Sequence, residues 1–149
     1  MASTAQIGKA GELLVQLRLL MAGIDSSPMT TDAGVDLVAY SPGKRRAKTI
    51  QVKTNKKAKP GGGKGKLALD WWIPDSSPAQ YFALVDLRSS RIWLLTMAEL
   101  RRLAQQHPPG RYHIYMYVEA TTHRLRTGKR MTDTQFSAYL LESRLRELR

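Results

Sequence analysis

Two short segments carry side chains whose types and spacing could organise a hard cation beside a phosphate. Gly34-Val35-Asp36-Leu37-Val38 sets one carboxylate in an apolar frame, and Ile50-Gln51-Val52-Lys53-Thr54 sets an amide and an ammonium two residues apart in another. Strand side chains alternate faces, so Gln51 and Lys53 share one face and Ile50 and Val52 the other. Ser41-Pro42-Gly43-Lys44 reads as the turn between the segments. A turn centred on Gly43 and Lys44 puts Asp36 opposite Gln51, so Asp36, Gln51 and Lys53 share a face while Val35, Leu37, Ile50 and Val52 take the other. A slip of one residue would scatter the set. Glu12 adds a second carboxylate if its helix packs on this hairpin. Magnesium is satisfied by one or two carboxylates plus waters and phosphate oxygens. Lys53 would then neutralise charge growing on a phosphoryl group. The plain structural alternative is an edge strand with one solvated polar face.

The elements that must position these groups can be read from periodicity and punctuation. Ser3 and Gln6 have capping-box spacing, predicting a helix to about Ala22. Ile7, Ala10, Leu14, Leu17 and Met21 form one apolar stripe, and Glu12, Val15 and Leu19 lie along another, so the helix is expected to be buried on two sides. After a short segment at Gly23–Asp25 and a loop through Pro28, Val35–Tyr40 and Ala47–Thr54 read as strands. The Lys- and Gly-rich stretch Thr54–Lys66 is expected to be irregular and mobile. Trp71-Trp72-Ile73 is an apolar return, read as core or interface. Tyr81–Leu87 and Arg91–Thr96 are strands, Met97–Gln106 a helix and Tyr112–Ala120 a strand. Thr132 and Gln135 form a second capping box, predicting a final helix to the C-terminus. The order predicts an α/β domain, with a mixed central sheet flanked by helices.

Composition narrows the chemistry. The 149 residues suit one domain. The absence of cysteine rules out disulfides, zinc–thiolate sites and thiol catalysis. His107, His113 and His123 are scattered without ligand spacing and read as surface or strand residues. Twenty-four Lys and Arg against twelve Asp and Glu leave a net charge of +12, a surface that attracts polyanions through counterion release. No apolar run approaches the roughly 20 residues of a membrane span, and no secretory pattern opens the chain, so a cytoplasmic nucleic-acid partner is expected.

In this frame the residues resemble the PD-(D/E)XK nuclease superfamily, the restriction-endonuclease-like and Holliday-junction-resolvase-like group. Gly11-Glu12, the Asp36 segment and the Gln51-Val52-Lys53 segment match its order of helix glutamate, strand aspartate and (D/E)-X-K pair; Tyr81–Leu87 resembles its next core strand. The likeness covers about residues 5–100 as the core, with 101–149 an extension. Gln51 stands where an acid is usual, similar to a variant in some homing endonucleases, and Gly34-Val35 replaces the proline. The resemblance implies a Mg²⁺- or Mn²⁺-dependent DNA endonuclease, with Glu12, Asp36 and Gln51 holding metal and Lys53 assisting the attacking water.

Basic residues supply candidate phosphate contacts: Lys56, Lys57, Lys59, Lys64 and Lys66 in the loop, and Arg124, Arg126, Lys129 and Arg130 before the last helix. The plain alternative for the loop is a solvated surface. Cutting both strands of a duplex needs two active sites, so a homodimer or higher symmetric assembly is expected. Three readings stand at this stage: a nuclease; a nucleic-acid-binding module on the same fold, inactive through Gln51; and a basic scaffold whose polar hairpin is merely an edge. DNA is the expected partner, with RNA the alternative. Asp70 and Asp86 are the next acids to test.

Overall fold

The computed structural model describes residues 1–63, 65–118 and 128–149. Helix α1 spans Thr4–Met21. Its capping box is formed: the Ser3 hydroxyl accepts from the Gln6 N–H at 3.2 Å, and Gln6 Oε1 accepts from the Ser3 N–H at 2.8 Å. These bonds satisfy amides that have no partner inside the helix. Gly23, at φ +78°, ends the helix, and the Ile24 N–H returns to the Leu19 carbonyl at 2.9 Å. Gly11, Val15 and Leu19 are buried, whereas Leu13, Leu17, Leu20 and Met21 are exposed. The expectation of burial on two sides is therefore corrected. A sheet covers one flank, against which Leu14 also packs, and Leu17 and Met21 are left exposed.

That sheet has five strands in the order β1-β2-β3-β6-β7. They are β1 (Asp25–Pro28), β2 (Leu37–Tyr40), β3 (Lys48–Asn55), β6 (Tyr81–Asp86) and β7 (Arg91–Thr96). β3 and β6 run parallel and the other pairs antiparallel, giving the expected mixed sheet. The β2–β3 register is the one read from the turn: Leu37 lies opposite Ile50. β1 corrects the expected loop before Pro28. Its four residues, Asp-Ser-Ser-Pro, carry no apolar alternation, and only pairing with β2 makes them a strand.

A second sheet joins β4 (Lys59–Pro60) and β5 (Leu67–Pro74), which lie between β3 and β6, to β8 (Arg111–Tyr117), which follows β7; it is ordered β4-β5-β8 and antiparallel. The basic stretch is thus not wholly irregular: it holds β4 and a 3₁₀ turn at Gly61–Gly63. Trp71 and Ile73 are buried on β5, with Trp72 half-buried on its other face. Alternation splits the core in two. Phe82 and Leu84 of β6 meet Leu69, Trp71, Ile73, Ile114 and Met116 of the second sheet. Ala83 and Val85 meet Val15 and Leu19 of α1 and the C-terminal Leu141 and Leu148. β6 is therefore buried on both faces and reads as a continuous apolar run. Each fully buried large apolar side chain contributes about 1.5–3 kcal/mol.

Two helix expectations change. α2 is Met97–Leu103, because Ala104 turns to extended backbone and Gln106 bridges to His113. The second capping box does not start a continuous helix: it opens a 3₁₀ segment, Asp133–Tyr139, followed by α3 (Leu141–Arg144) and a 3₁₀ turn at Leu145–Leu148. The strand expected to reach Ala120 is described to Tyr117; Glu119 and Ala120 lie outside the described residues.

Candidate active site

The site forms where β2 separates from β3. The Asp36 N–H still donates to the Ile50 carbonyl at 2.9 Å, but Asp36 precedes β2, and the carboxylate takes over where backbone pairing stops: its Oδ2 accepts from the Val52 N–H at 2.6 Å. Gly34, at φ +87°, makes the bend that feeds this fork, and a Cβ there would lie 2.8 Å from Pro78 Cδ. Val35 is a correction. It packs with the cluster of the second sheet, whereas Leu37, Ile50 and Val52 pack with the α1 cluster. The regular alternation assumed for the segment begins only after the bend.

Glu12 lies on α1 next to Gly11, where the helix packs closely against β3. A Cβ on Gly11 would sit 1.9 Å from Thr54 Oγ1, so only glycine permits this spacing. Glu12 is partly exposed and accepts from Lys9 Nζ at 3.1 Å. Its charge nevertheless reaches Asp36. Burial pushes the Asp36 carboxyl above its ordinary value of 3.8; the Val52 hydrogen bond opposes this, Glu12 and Asp32 raise it further, and Lys53 lowers it. Asp36, Glu12 and Lys53 therefore form one electrostatic unit. Asp32 is a member that the sequence reading missed, although its place four residues before Asp36 was the available signal.

Gln51 is buried, at 6% exposure, on the same face of β3 as Lys53. Its Oε1 accepts from the Ser77 hydroxyl at 2.8 Å, and that hydroxyl lies 3.3 Å from the Gly34 carbonyl. Ser77 thus ties the two motif segments together, a role that no local pattern announces. Among the described residues, no group of three or more His, Cys, Asp or Glu side chains could hold a metal ion. The candidate donors are the Asp36 and Glu12 carboxylates, linked through their charges, while the Gln51 amide oxygen is engaged by Ser77. One or two carboxylates suffice for Mg²⁺, which keeps several waters. Asp36 has given one oxygen to Val52 and retains a second.

The basic candidates fall in different places. Lys56 and Lys57 are exposed beyond the end of β3 and line a shallow cavity with Leu87 and Arg88. Lys59 stands on β4, and Lys66 is exposed before β5. Lys129 Nζ donates to the Ala104 carbonyl, and the Arg130 guanidinium lies 5.4 Å from the Tyr139 ring centre, so both have internal roles. Lys64, Arg124, Arg126 and His123 lie outside the described residues. Of the two further acids, Asp86 accepts from the Arg88 N–H and Ser89 Oγ in the β6–β7 turn, and Asp70 pairs with His113 at 3.0 Å. No described helix is long and apolar enough to cross a membrane.

No protein-family model matches the chain, and no curated protein sequence matches it. Solved structures do. The bacterial homing endonuclease I-Ssp6803I aligns with a TM-score of 0.67 at 15% identity, over 97% of this chain and 91% of that one. The Holliday junction resolvase Hjc of the archaeal hyperthermophile Archaeoglobus fulgidus aligns with a TM-score of 0.50 at 18% identity, over 72% and 82%. At such identities the likeness speaks for backbone architecture. The chain has the restriction-endonuclease-like fold.

Proposed function

We propose that this protein is a divalent-metal-dependent endonuclease that hydrolyses phosphodiester bonds of DNA. The observation that carries the reading is Asp36. It is a carboxylate held above its ordinary pKa by burial and by Glu12, at the fork of two strands, with Lys53 opposing the shift. Buried acids crowded by like charge are costly unless a cation joins them, and such arrangements concentrate at functional sites. Glu12 and Asp36 would hold Mg²⁺ or Mn²⁺, with the Gln51 amide oxygen as the weaker third donor. The bound ion would supply Lewis-acid polarisation of the phosphoryl group. Lys53 stands two residues from Gln51, on the same face, to position the attacking water and neutralise charge growing on the phosphate. Both structural neighbours are named nucleases, one for homing and one for junctions. A net charge of +12 suits a DNA partner. One chain has one such site, so double-strand cutting would need a homodimer or higher assembly.

The test is cleavage of supercoiled, linear and branched DNA in Mg²⁺, Mn²⁺ or EDTA, with Asp36→Ala and Lys53→Ala alongside. Metal-dependent cutting that both substitutions abolish is the expected result. Wild-type protein that cuts nothing in either metal overturns the reading. A second reading, a binding module on the same fold, is favoured by one observation: Gln51 Oε1 is already engaged by Ser77. Salt-sensitive DNA binding without cutting, unchanged in Ser77→Ala, is its signature.

A further inference from the structure

The outer face of the β4-β5-β8 sheet carries a second constellation that the fork does not use. β8 turns Tyr112, Ile114 and Met116 into the core, which leaves Arg111, His113, Tyr115 and Tyr117 along its other face. Across the pair, Trp72 lies opposite His113, Asp70 opposite Tyr115 and Ala68 opposite Tyr117, with Lys59 of β4 opposite Ala68. At one end the rings close on each other. Trp72 and His113 stack at 3.9 Å and 3°, and the Arg111 guanidinium lies 4.1 Å from the centre of the Trp72 ring. At the other end they do not. His113 and Tyr115 are tilted by 50°, Tyr115 and Tyr117 by 75°, and the small Ala68 lies across from Tyr117. What remains is a cavity of about 360 Å³ with aromatic rings, Lys59 and Asp70 in its lining.

We propose that this cavity takes an unpaired nucleobase of the DNA substrate, stacked on the Tyr115 ring with the adjoining phosphate at Lys59. The identity of the ligand as DNA rests on the nuclease reading; the cavity itself does not. Aromatic rings interleaved with cations on a sheet surface are how single-stranded nucleic acid is held, because every base offers a π-face. The volume lies in the range of small-ligand sites. Polar lining fits a base more closely than a plain apolar ligand. Asp70 and Gln106 both bond His113, which fixes their orientation, and a carboxylate accepts from exocyclic amines. Burial, and then Tyr117, hold the Tyr115 hydroxyl above the usual phenol range, so it stays neutral beside a phosphate. Position agrees as well. Asn55, two residues beyond Lys53 on the same face of β3, donates to the Asp70 carbonyl at 2.6 Å. That bond ties the strand carrying Lys53 to the strand carrying Asp70. A base inside an intact duplex cannot enter, so the preferred substrate carries an unpaired tail, flap or branch.

The experiment uses a duplex with an unpaired tail of about 12 nucleotides containing 2-aminopurine, and a matched tail of abasic sites with the same charge. Binding is measured in EDTA, so the result does not depend on cutting, and cleavage in Mg²⁺ scores the fork separately. Expected for the wild type are quenching of 2-aminopurine and about tenfold tighter binding of the tail that has bases. Tyr115→Leu should erase both, and Tyr115→Phe should retain them. Ala68→Leu, which fills the slot without removing a ring, should act like Tyr115→Leu. Urea melts confirm folding of each variant. Equal wild-type binding of the two tails, or quenching that survives both Tyr115→Leu and Ala68→Leu, overturns the proposal.

Discussion

Two aspartates sit at strand ends of the same sheet, and their surroundings differ in how far their polar demands are met within the fold. Asp86 is 4% exposed and closes the β6–β7 turn, with both oxygens engaged by the Arg88 N–H and the Ser89 hydroxyl. Its polar demand is met inside the turn. Asp36 is half-buried at a fork that stays open, accepts one backbone N–H, and faces the negative charges of Glu12 and Asp32. A satisfied buried acid holds a turn together. A half-buried one crowded by like charge carries a cost that a cation could relieve. The lesson is that burial alone does not mark a site; the balance of partners does.

The largest expected effect breaks the comparison from the functional side. Asp36→Asn should lower metal-dependent cleavage by about a thousandfold, while Asp86→Asn leaves cleavage per folded molecule unchanged; single-turnover assays at matched folded fractions measure both. Metal-dependent cutting by Asp36→Asn at the wild-type rate would dissolve the distinction. Next comes stability without metal. Asp86→Ala removes two turn hydrogen bonds and should cost about 1–3 kcal/mol in urea denaturation, whereas Asp36→Asn should raise stability at neutral pH. The sign follows from linkage. The folded carboxyl lies above its unfolded value, so its contribution is complete below pH 3.8 and is lost as pH rises through the folded value. The Asn variant should not show that loss, and melting curves at several pH values test it.

Metal should sharpen the contrast further. At about a hundredfold excess over its Kd, Mg²⁺ should stabilise the wild type by about 2.7 kcal/mol and Asp36→Asn far less, read as thermal shifts. The smallest expected effect concerns the packing of α1 on β3 next to Glu12. Gly11→Ala gains about 1 kcal/mol of helix propensity, but its Cβ would fall 1.9 Å from Thr54 Oγ1. Overpacking of about 1–3 kcal/mol outweighs that gain, so a net loss of roughly 1 kcal/mol is expected on melting.

Much of the fork was legible along the chain because its geometry is local. Ser41–Lys44 set the turn, alternation put Gln51 and Lys53 on one face, and Leu37 opposite Ile50 is the register that this arithmetic requires. The first helix was legible because Ser3 and Gln6 cap it within four residues. Val35 was misplaced because Gly34 bends the chain just before β2, and alternation holds only within a strand. The second sheet escaped because β5 and β8 pair across some forty residues, with no turn to announce the partner. The C-terminal helix was overextended because Leu140, Leu141, Leu145 and Leu148 have a spacing that helical and 3₁₀ segments share.

Local chemistry is thus enough to set the turn, the caps, the charge excess and which side chains could meet across one hairpin, since each depends on neighbours within a few bonds or on simple counting. It takes long-range packing to decide that α1 presses Gly11 against Thr54 next to Glu12, that Ser77 grips Gln51, and that Tyr115 and Tyr117 line a slot beside Asp70. Those contacts form only when burying apolar surface from distant segments offsets the entropy of closing long loops, and a linear pattern carries no record of that balance.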